Sequence, residues 1–305
     1  MTWQHLPLCF ELLSPLHIGF LPNQPGTVFA PTRCYVPGKN LWGALTASLT
    51  PRIFDGTAKQ FQQVGDEIKK QFTFSYFYLS DGKRIFTPAY ATEAGLNWGG
   101  ISDQEFRTCF LASRVSTRIG ETGSAKDQTL HEIEFIRHDI SSPGKQGKKA
   151  LLVGMVWVRS NAKILDKPVE VRDGSIFIEK IDILREIVVG GERNYGFGRV
   201  KRIACSDVLA QELEKFWGFN PGAISLKDSK VLLGHLPYRT DLMFLGDIEI
   251  LAGREYPRDN ATVEFINTGK HISNSGYCFV PGTKLQTEDD QLLGLNAWGQ
   301  LCWTG

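Results

Sequence analysis

The sequence predicts an α+β protein built from two ferredoxin-like domains in tandem, residues 1–205 and 206–305, with antiparallel sheets. Three observations predict it. The first 205 residues read in the order strand, helix, strands, helix, strand, the split β-α-β pattern of that fold. A glycine-rich loop falls between the second predicted helix and the last strand of that series. The tract Phe279-Val280-Pro281-Gly282-Thr283-Lys284-Leu285 repeats Val, Pro, Gly and Leu in register with Tyr35-Val36-Pro37-Gly38-Lys39-Asn40-Leu41, so the second part reads as a degenerate repeat of the first. A length of 305 residues suits two small domains or one large one.

The elements follow in order. Residues 6–13 alternate as a first strand, which Pro15 and Gly19 end. The proline-rich stretch 20–34 is loop. After Pro37-Gly38 a helix begins, with apolar residues 41, 44, 45 and 49 on one face and Thr50-Pro51 as its stop. Residues 71–79 are aromatic and alternating, a strand that turns at Asp81-Gly82. Residues 86–128 carry a basic run, Arg107, Arg114 and Arg118, and no assigned structure. Residues 130–136 alternate as a strand, 141–149 form a basic tip, and 150–158 form a strongly apolar strand. Apolar residues 181, 184, 187 and 188 have helical spacing, which predicts a helix over 176–189. A strand at 199–205 closes the first domain. The second has a helix at 207–217 and strands near 230–236, 242–251, 261–267, 276–280 and 298–303.

Composition narrows the function. The chain is 42% hydrophobic and 22% charged, ordinary for a globular protein. Its net charge of +1 supplies no global field toward nucleic acid, so such a site must be a local patch or one shared with neighbours. The N-terminal residues lack the pattern of a signal peptide and no apolar run reaches membrane-helix length, which predicts a cytoplasmic protein without a membrane partner. Six cysteines are scattered without a C-x-x-C pair, and the acidic residues show no metal-ligand spacing. No metal and no cofactor are expected.

The loop from Gly190 to Arg199 carries the chemistry. Gly190, Gly191, Gly196 and Gly198 put four glycines in nine residues, which permits positive φ and bares backbone N–H groups. Successive bare N–H groups make an anion-binding concavity. Arg193, Asn194 and Arg199 add donors, arginine's fork matches phosphate, and Tyr195 and Phe197 offer rings on which a base can stack. The predicted order is helix, loop, strand, whereas a Walker loop and a dinucleotide fingerprint need strand, loop, helix. Both are excluded. A turn without a ligand stands beside the sugar–phosphate interpretation.

Three motifs now stand in order: Ser14-Pro15-Leu16-His17-Ile18-Gly19, Val36-Pro37-Gly38-x-x-Leu41-Trp42-Gly43-Ala44-Leu45, and Gly190-Gly191-Glu-Arg-Asn-Tyr-Gly196-Phe-Gly198-Arg199-Val200. Together they resemble the RAMP superfamily, the repeat-associated RNA-binding subunits of CRISPR effectors, and most of all those of type III. The resemblance covers the first 205 residues. It implies ferredoxin-like (RRM-like) domains that hold the guide RNA by its backbone, while base pairing reads sequence. Within the family the chain looks most like the cap branch that grips the 5′ repeat-derived handle, because about a hundred residues follow the loop. The implied partners are the CRISPR guide RNA, a backbone RAMP subunit, the large signalling subunit and, indirectly, target RNA.

The residues expected to contact RNA are Gly190, Gly191, Arg193, Asn194, Tyr195, Gly196, Gly198 and Arg199, with Gly38, Lys39 and Asn40 at a helix start that attracts phosphate. Arg114 and Arg118, with Lys126, and Lys145, Lys148 and Lys149 are loop candidates; each group also reads as solvated surface. His17 either shapes its turn, stacks on RNA, or acts as acid or base in a guide-processing nuclease of the same superfamily. A third possibility within the family is a backbone subunit that cleaves target RNA through Asp127 or Asp139. A structural subunit that touches only protein is the remaining one. Trp42, Trp157 and the aromatics at 72–78 are expected in the core.

Overall fold

The computed structural model describes residues 2–20, 28–54, 56–117, 130–141, 147–226, 230–254, 272–287 and 292–304. In chain order the elements that frame the site are β1 (Trp3–Leu12), α1 (Gly38–Ile53), α2 (Ala58–Gln71), β2 (Phe72–Phe74), β3 (Tyr78–Ser80), α3 (Asp103–Phe110), β4 (Leu111–Ser116) and β5 (His131–Ile136). They continue with β6 (Leu151–Arg159), β7 (Glu186–Val188), β8 (Arg199–Ile203), α4 (Asp207–Trp217), β9 (Leu236–Pro237), β10 (Ile248–Arg254) and β11 (Ile272–Phe279).

The main sheet runs β7-β8-β1-β6-β2, with β3 also on β6. Every pairing is antiparallel, for example Leu8 with Gly154 and Cys9 with Ile203. Hence β1 and β2 run parallel with β6 split between them, as the sequence pattern predicts. Strand β6 is central because its residues are apolar on both faces and buried on both, from Leu152 to Val158. The predicted strand at 71–79 is real but broken at residues 75–77. There Val36 N–H bonds Phe77 O (2.9 Å), and the Phe77 ring lies where a Cβ on Gly154 would stand, 2.6 Å away.

Helix α1 begins where predicted and buries Leu41, Ala44, Leu45 and Leu49. It runs on through Pro51 to Ile53 although Pro51 has no N–H to offer the Ala47 carbonyl, and Phe54 N–H closes the end on Thr50 O (3.1 Å). Helix α2 was not assigned from sequence; Thr57 caps it by accepting the Gln60 N–H, and Val64 and Ile68 face the core. Residues 86–117 also gain structure, with α3 leading directly into β4.

The helix predicted over 176–189 is overturned. Strands Ser175–Ile178, Ile181–Asp182 and β7 stand there. Asp173, Gly174 and Glu179 take φ of +50°, +65° and +53°, which folds the chain into tight hairpins. The isoleucines and valines of this stretch satisfy helical spacing by coincidence, and their β-branching favours the pleated alternative. A four-stranded hairpin stack over 163–182 therefore replaces the second helix of the expected pattern.

In the second part α4 occupies the predicted span and buries Leu209, Leu213 and Trp217. The predicted strand at 230–236 shrinks to β9, and 242–251 divides into Phe244–Leu245 and β10. Residues 276–280 lie at the end of β11, 298–303 reduce to Leu301–Trp303, and 261–267 lie outside the described residues. The described residues after 205 form one helix and three small antiparallel sheets. The motif echo also diverges: Pro37-Gly38 opens α1, whereas Pro281-Gly282 is a turn, with Gly282 at φ +94°, that leads into the strand Lys284–Leu285. Among the described residues no helix follows it.

One apolar core runs through both parts. A buried polar network joins them as well. Arg33 bonds Glu249 (2.5 Å) and the Tyr35 hydroxyl (3.0 Å), His235 bonds Glu249, and Tyr76 meets His235 Nδ1 at 2.6 Å. The predicted core aromatics Phe72, Phe74, Tyr76, Phe77 and Tyr78 are all buried, as is Trp157, while Trp42 is half-buried.

Candidate nucleic-acid interface

The glycine loop links edge strand β7 to β8. Val189 N–H donates to Gly198 O (2.9 Å), so the loop is closed at its neck. Gly198 has φ +86°, and a Cβ there would lie 2.0 Å from Val189 O. Gly190 has φ +83°, and its Cβ would lie 2.3 Å from His17 O. These two glycines are required by close backbone approach, not only by conformation. Between them Glu192 is left-handed, Arg193–Tyr195 form one turn of 3-10 helix, and Gly196 is left-handed again, with open space around it.

The first motif is the loop's seat. Gly191 N–H donates to His17 O (2.9 Å), Gly198 N–H to Pro15 O (2.7 Å), and Arg199 N–H to Ser14 Oγ (3.0 Å). Phe197 turns inward, buried, and meets Phe135 of β5 edge-on, with ring centroids 5.3 Å apart. Arg193, Asn194 and Tyr195 turn outward; Tyr195 is 54% exposed. The Arg193 Nε donates to Gly190 O (3.2 Å), which fixes the side chain and leaves the outer guanidinium nitrogens to other acceptors. Arg199 makes a two-point contact with Glu186 of β7, at 2.7 and 3.1 Å.

Beside the loop is a groove of about 360 Å³. Its far wall is the small-residue face of α1, Ala44, Ala47 and Ser48, and its near wall includes Glu186, Arg193 and Arg199. Arg52, one turn along α1, donates to Ser48 Oγ (3.3 Å) and so stands at the same wall. The arrangement sets two guanidinium groups, Arg193 and Arg199, on one concavity, with an exposed aromatic ring and amide at the loop tip. That combination can hold a phosphodiester and stack a base.

Other candidates fall in different places. His17 is 6% exposed, and its Nδ1 meets the Glu134 carbonyl at 2.7 Å, which makes Nδ1 the protonated nitrogen. Its ring packs under Gly191, whose added Cβ would be 3.4 Å from it. The neighbouring Glu134 carboxylate is engaged by Thr32 N–H (3.0 Å) and Arg107 (3.2 Å). His17 thus supports the loop from beneath.

The backbone space beside Gly38 is filled by protein. A Cβ there would lie 2.5 Å from Phe74 O, 2.8 Å from Trp298 O and 3.1 Å from Gly299 Cα. The close approach expected for a phosphate is made by the chain itself. Lys39 reaches the second part, with Nζ 2.5 Å from Ala252 O, and Asn40 N–H bonds Pro37 O. The start of α1 therefore faces β10, and its later turns line the groove.

Arg114 lies on β4 opposite Ile133, exposed and on the same strand face as Phe135 by alternation, so the fold brings it to the loop's side of the β4–β5 hairpin. Arg118, Lys126, Asp127 and Lys145 lie outside the described residues. Lys148 and Lys149 stand near His138 and Asp139, since Ala150 N–H bonds His138 O and Asp139 pairs with Lys149. Asp139 is 3.9 Å from both Arg137 and His138. Among the described residues no three His, Cys, Asp or Glu side chains cluster as a metal site, and no helix is long and apolar enough to cross a membrane. Sequence reasoning missed Glu186, Ser14, Phe135 and the α1 wall. Glu186 was hidden in the misassigned helix; the rest are visible only once strand pairing is known.

The class of fold is thus α+β, with a split β-α-β sheet and a glycine loop at its edge. No protein-family model and no curated protein matches the sequence. Among solved structures the fold is similar to a chain in the cryo-EM structure of Type III-B Cmr-beta bound to cognate target RNA and AMPPnP, state 1. The TM-score is 0.54 at 12% identity, over 92% of this chain and 85% of that one. A chain of Type III-B Cmr-beta bound to cognate target RNA gives 0.51 at 11% identity, over 92% and 86%.

Proposed function

We propose that this chain is a RAMP-superfamily subunit of a type III CRISPR effector complex, binding guide RNA without cleaving it. Within that complex we assign it the cap on the 5′ repeat-derived handle, beside a backbone subunit and the large signalling subunit. The glycine loop carries the proposal. It is a preformed turn on a rigid seat that presents Arg193, Asn194, Tyr195 and Arg199 beside a narrow groove, the parts that a sugar–phosphate chain requires. The fold similarity supports a place in such a complex, and the cap assignment rests on the length of chain that follows the loop. The burial of His17 and its role beneath the loop favour binding over cutting.

The test is to offer the purified chain labelled CRISPR repeat RNA in rising salt and to follow binding and cleavage together. Binding that weakens with salt and leaves the RNA intact is expected. Arg193→Ala with Arg199→Ala is expected to weaken it about tenfold or more, with the fold unchanged by circular dichroism. Unchanged affinity in that double variant sinks the loop assignment. Cutting at one position, abolished by His17→Ala, would instead make the chain a processing nuclease.

A further inference from the structure

Glu186 is the one acid among the described residues that line the groove. It stands on edge strand β7, directly opposite Lys201 in register, yet its carboxylate reaches diagonally to Arg199. The contact uses Arg199 Nε and Nη2 together, the same donor pair that would grip two phosphate oxygens. Both side chains are open to water, with relative exposures of 56% for Arg199 and 45% for Glu186, so the pair can part without leaving a buried charge. Among the described residues no hydrogen bond or ion pair besides that with Glu186 fixes the Arg199 side chain, whereas Arg193 is held by Gly190 O.

Resting on the assignment of this loop to RNA, we infer that Glu186 is a built-in competitor of the RNA phosphate. Arg199 exchanges the Glu186 carboxylate for a phosphodiester when the strand enters the groove, and Glu186 thereby sets the affinity and salt dependence of the site. The exchange conserves charge contacts on Arg199 and forms no covalent bond. Freed Glu186 still stands opposite Lys201 in the strand pair, a second cation within its reach by register. Arg199 contributes less to binding than Arg193 for as long as Glu186 is present, because one of its two possible partners is always at hand.

The test uses the full chain and fluorescein-labelled oligouridine in anisotropy titrations at several salt concentrations. Glu186→Gln keeps the size and polarity of the exposed side chain and is expected to tighten binding about two- to fivefold, the worth of one exposed ion pair. The slope of log affinity against log salt should steepen, by at most about 0.7, because no freed carboxylate then takes up a cation beside the bound phosphate. In the Arg199→Ala background, Glu186→Gln should give no tightening. Equal or weaker binding by Glu186→Gln overturns the inference, and so does tightening that persists without Arg199, which would be a general charge effect. Loss of the underlying loop assignment has a different signature: Arg193→Ala with Arg199→Ala then binds as the natural chain does.

Discussion

The loop's glycines are not equivalent, and a single added methyl group separates them. Gly196 has φ +81° in open space, so alanine meets only the intrinsic cost of a left-handed backbone, about 1 kcal/mol. Gly198 has the same conformation, but its Cβ would collide with Val189 O at the neck. Gly198→Ala should therefore cost clearly more, about 3 kcal/mol, and urea unfolding of the two variants checks the difference. A reversed order would show that the neck is not closed as described. The types of residue in this loop were legible from sequence, because clustered glycine and arginine announce themselves by composition alone. The partners were not. That Arg199 meets Glu186, or that Gly38 is pressed against Phe74 and Trp298, depends on register and on packing between distant segments. Composition offers Phe197 as a second ring face for a base, and the structure overturns this: its ring is buried against Phe135 while Tyr195 turns out.

At the level of elements, the loop is tied to the β4–β5 hairpin by Phe197 on Phe135. Phe197→Ala removes a buried ring and is expected to cost about 3 kcal/mol. It should also weaken RNA binding although no cation is lost, since the loop would leave its seat. Thermal unfolding read beside RNA anisotropy tests both halves; full affinity in a folded variant would show that this contact does not hold the loop. The strands of the main sheet were legible because alternation and continuous apolar runs have no rival explanation in Trp3–Leu12 or Leu151–Arg159. The hairpin stack was not, because short strands rich in isoleucine place apolar residues at spacings that also fit a helix. The decisive sign was Asp173-Gly174, a hairpin turn inside the supposed approach to a helix.

The whole molecule depends on the polar network between its parts. Burial, the largest influence, holds the His235 imidazole down to about 4, against the hydrogen bond to Glu249. Burial alone would raise the Glu249 carboxyl, but the His235 hydrogen bond and the Arg33 charge hold it down to about 2. The signs agree. His235 resists protonation in the folded chain, so stability falls as pH drops from about 6.5 toward 4. The ionised Glu249 contributes fully above its unfolded value near 4.5, and that contribution is lost as pH falls toward 2. Urea midpoints should thus decline steadily below about pH 6.5. Glu249→Gln leaves the Arg33 guanidinium, only 9% exposed, without its counter-charge, and is expected to cost about 3–5 kcal/mol. A variant with an unchanged midpoint and a flat pH profile would remove this network from the account of stability. None of it was legible, since Arg33 is far in sequence from His235 and Glu249 and all three are ordinary in type.

The meeting of Gly38 with Gly299 constrains how such a chain can change over generations. Each would thrust a Cβ to within 3.1 or 3.2 Å of the other's Cα, and both press on Phe74 O. Replacing one first gives no relief by replacing the other, so neutral drift has no stepwise route through this pair. Descendants that keep the fold would inherit both glycines together, and a lineage that has lost one should have rebuilt the seam between helix start and final turn.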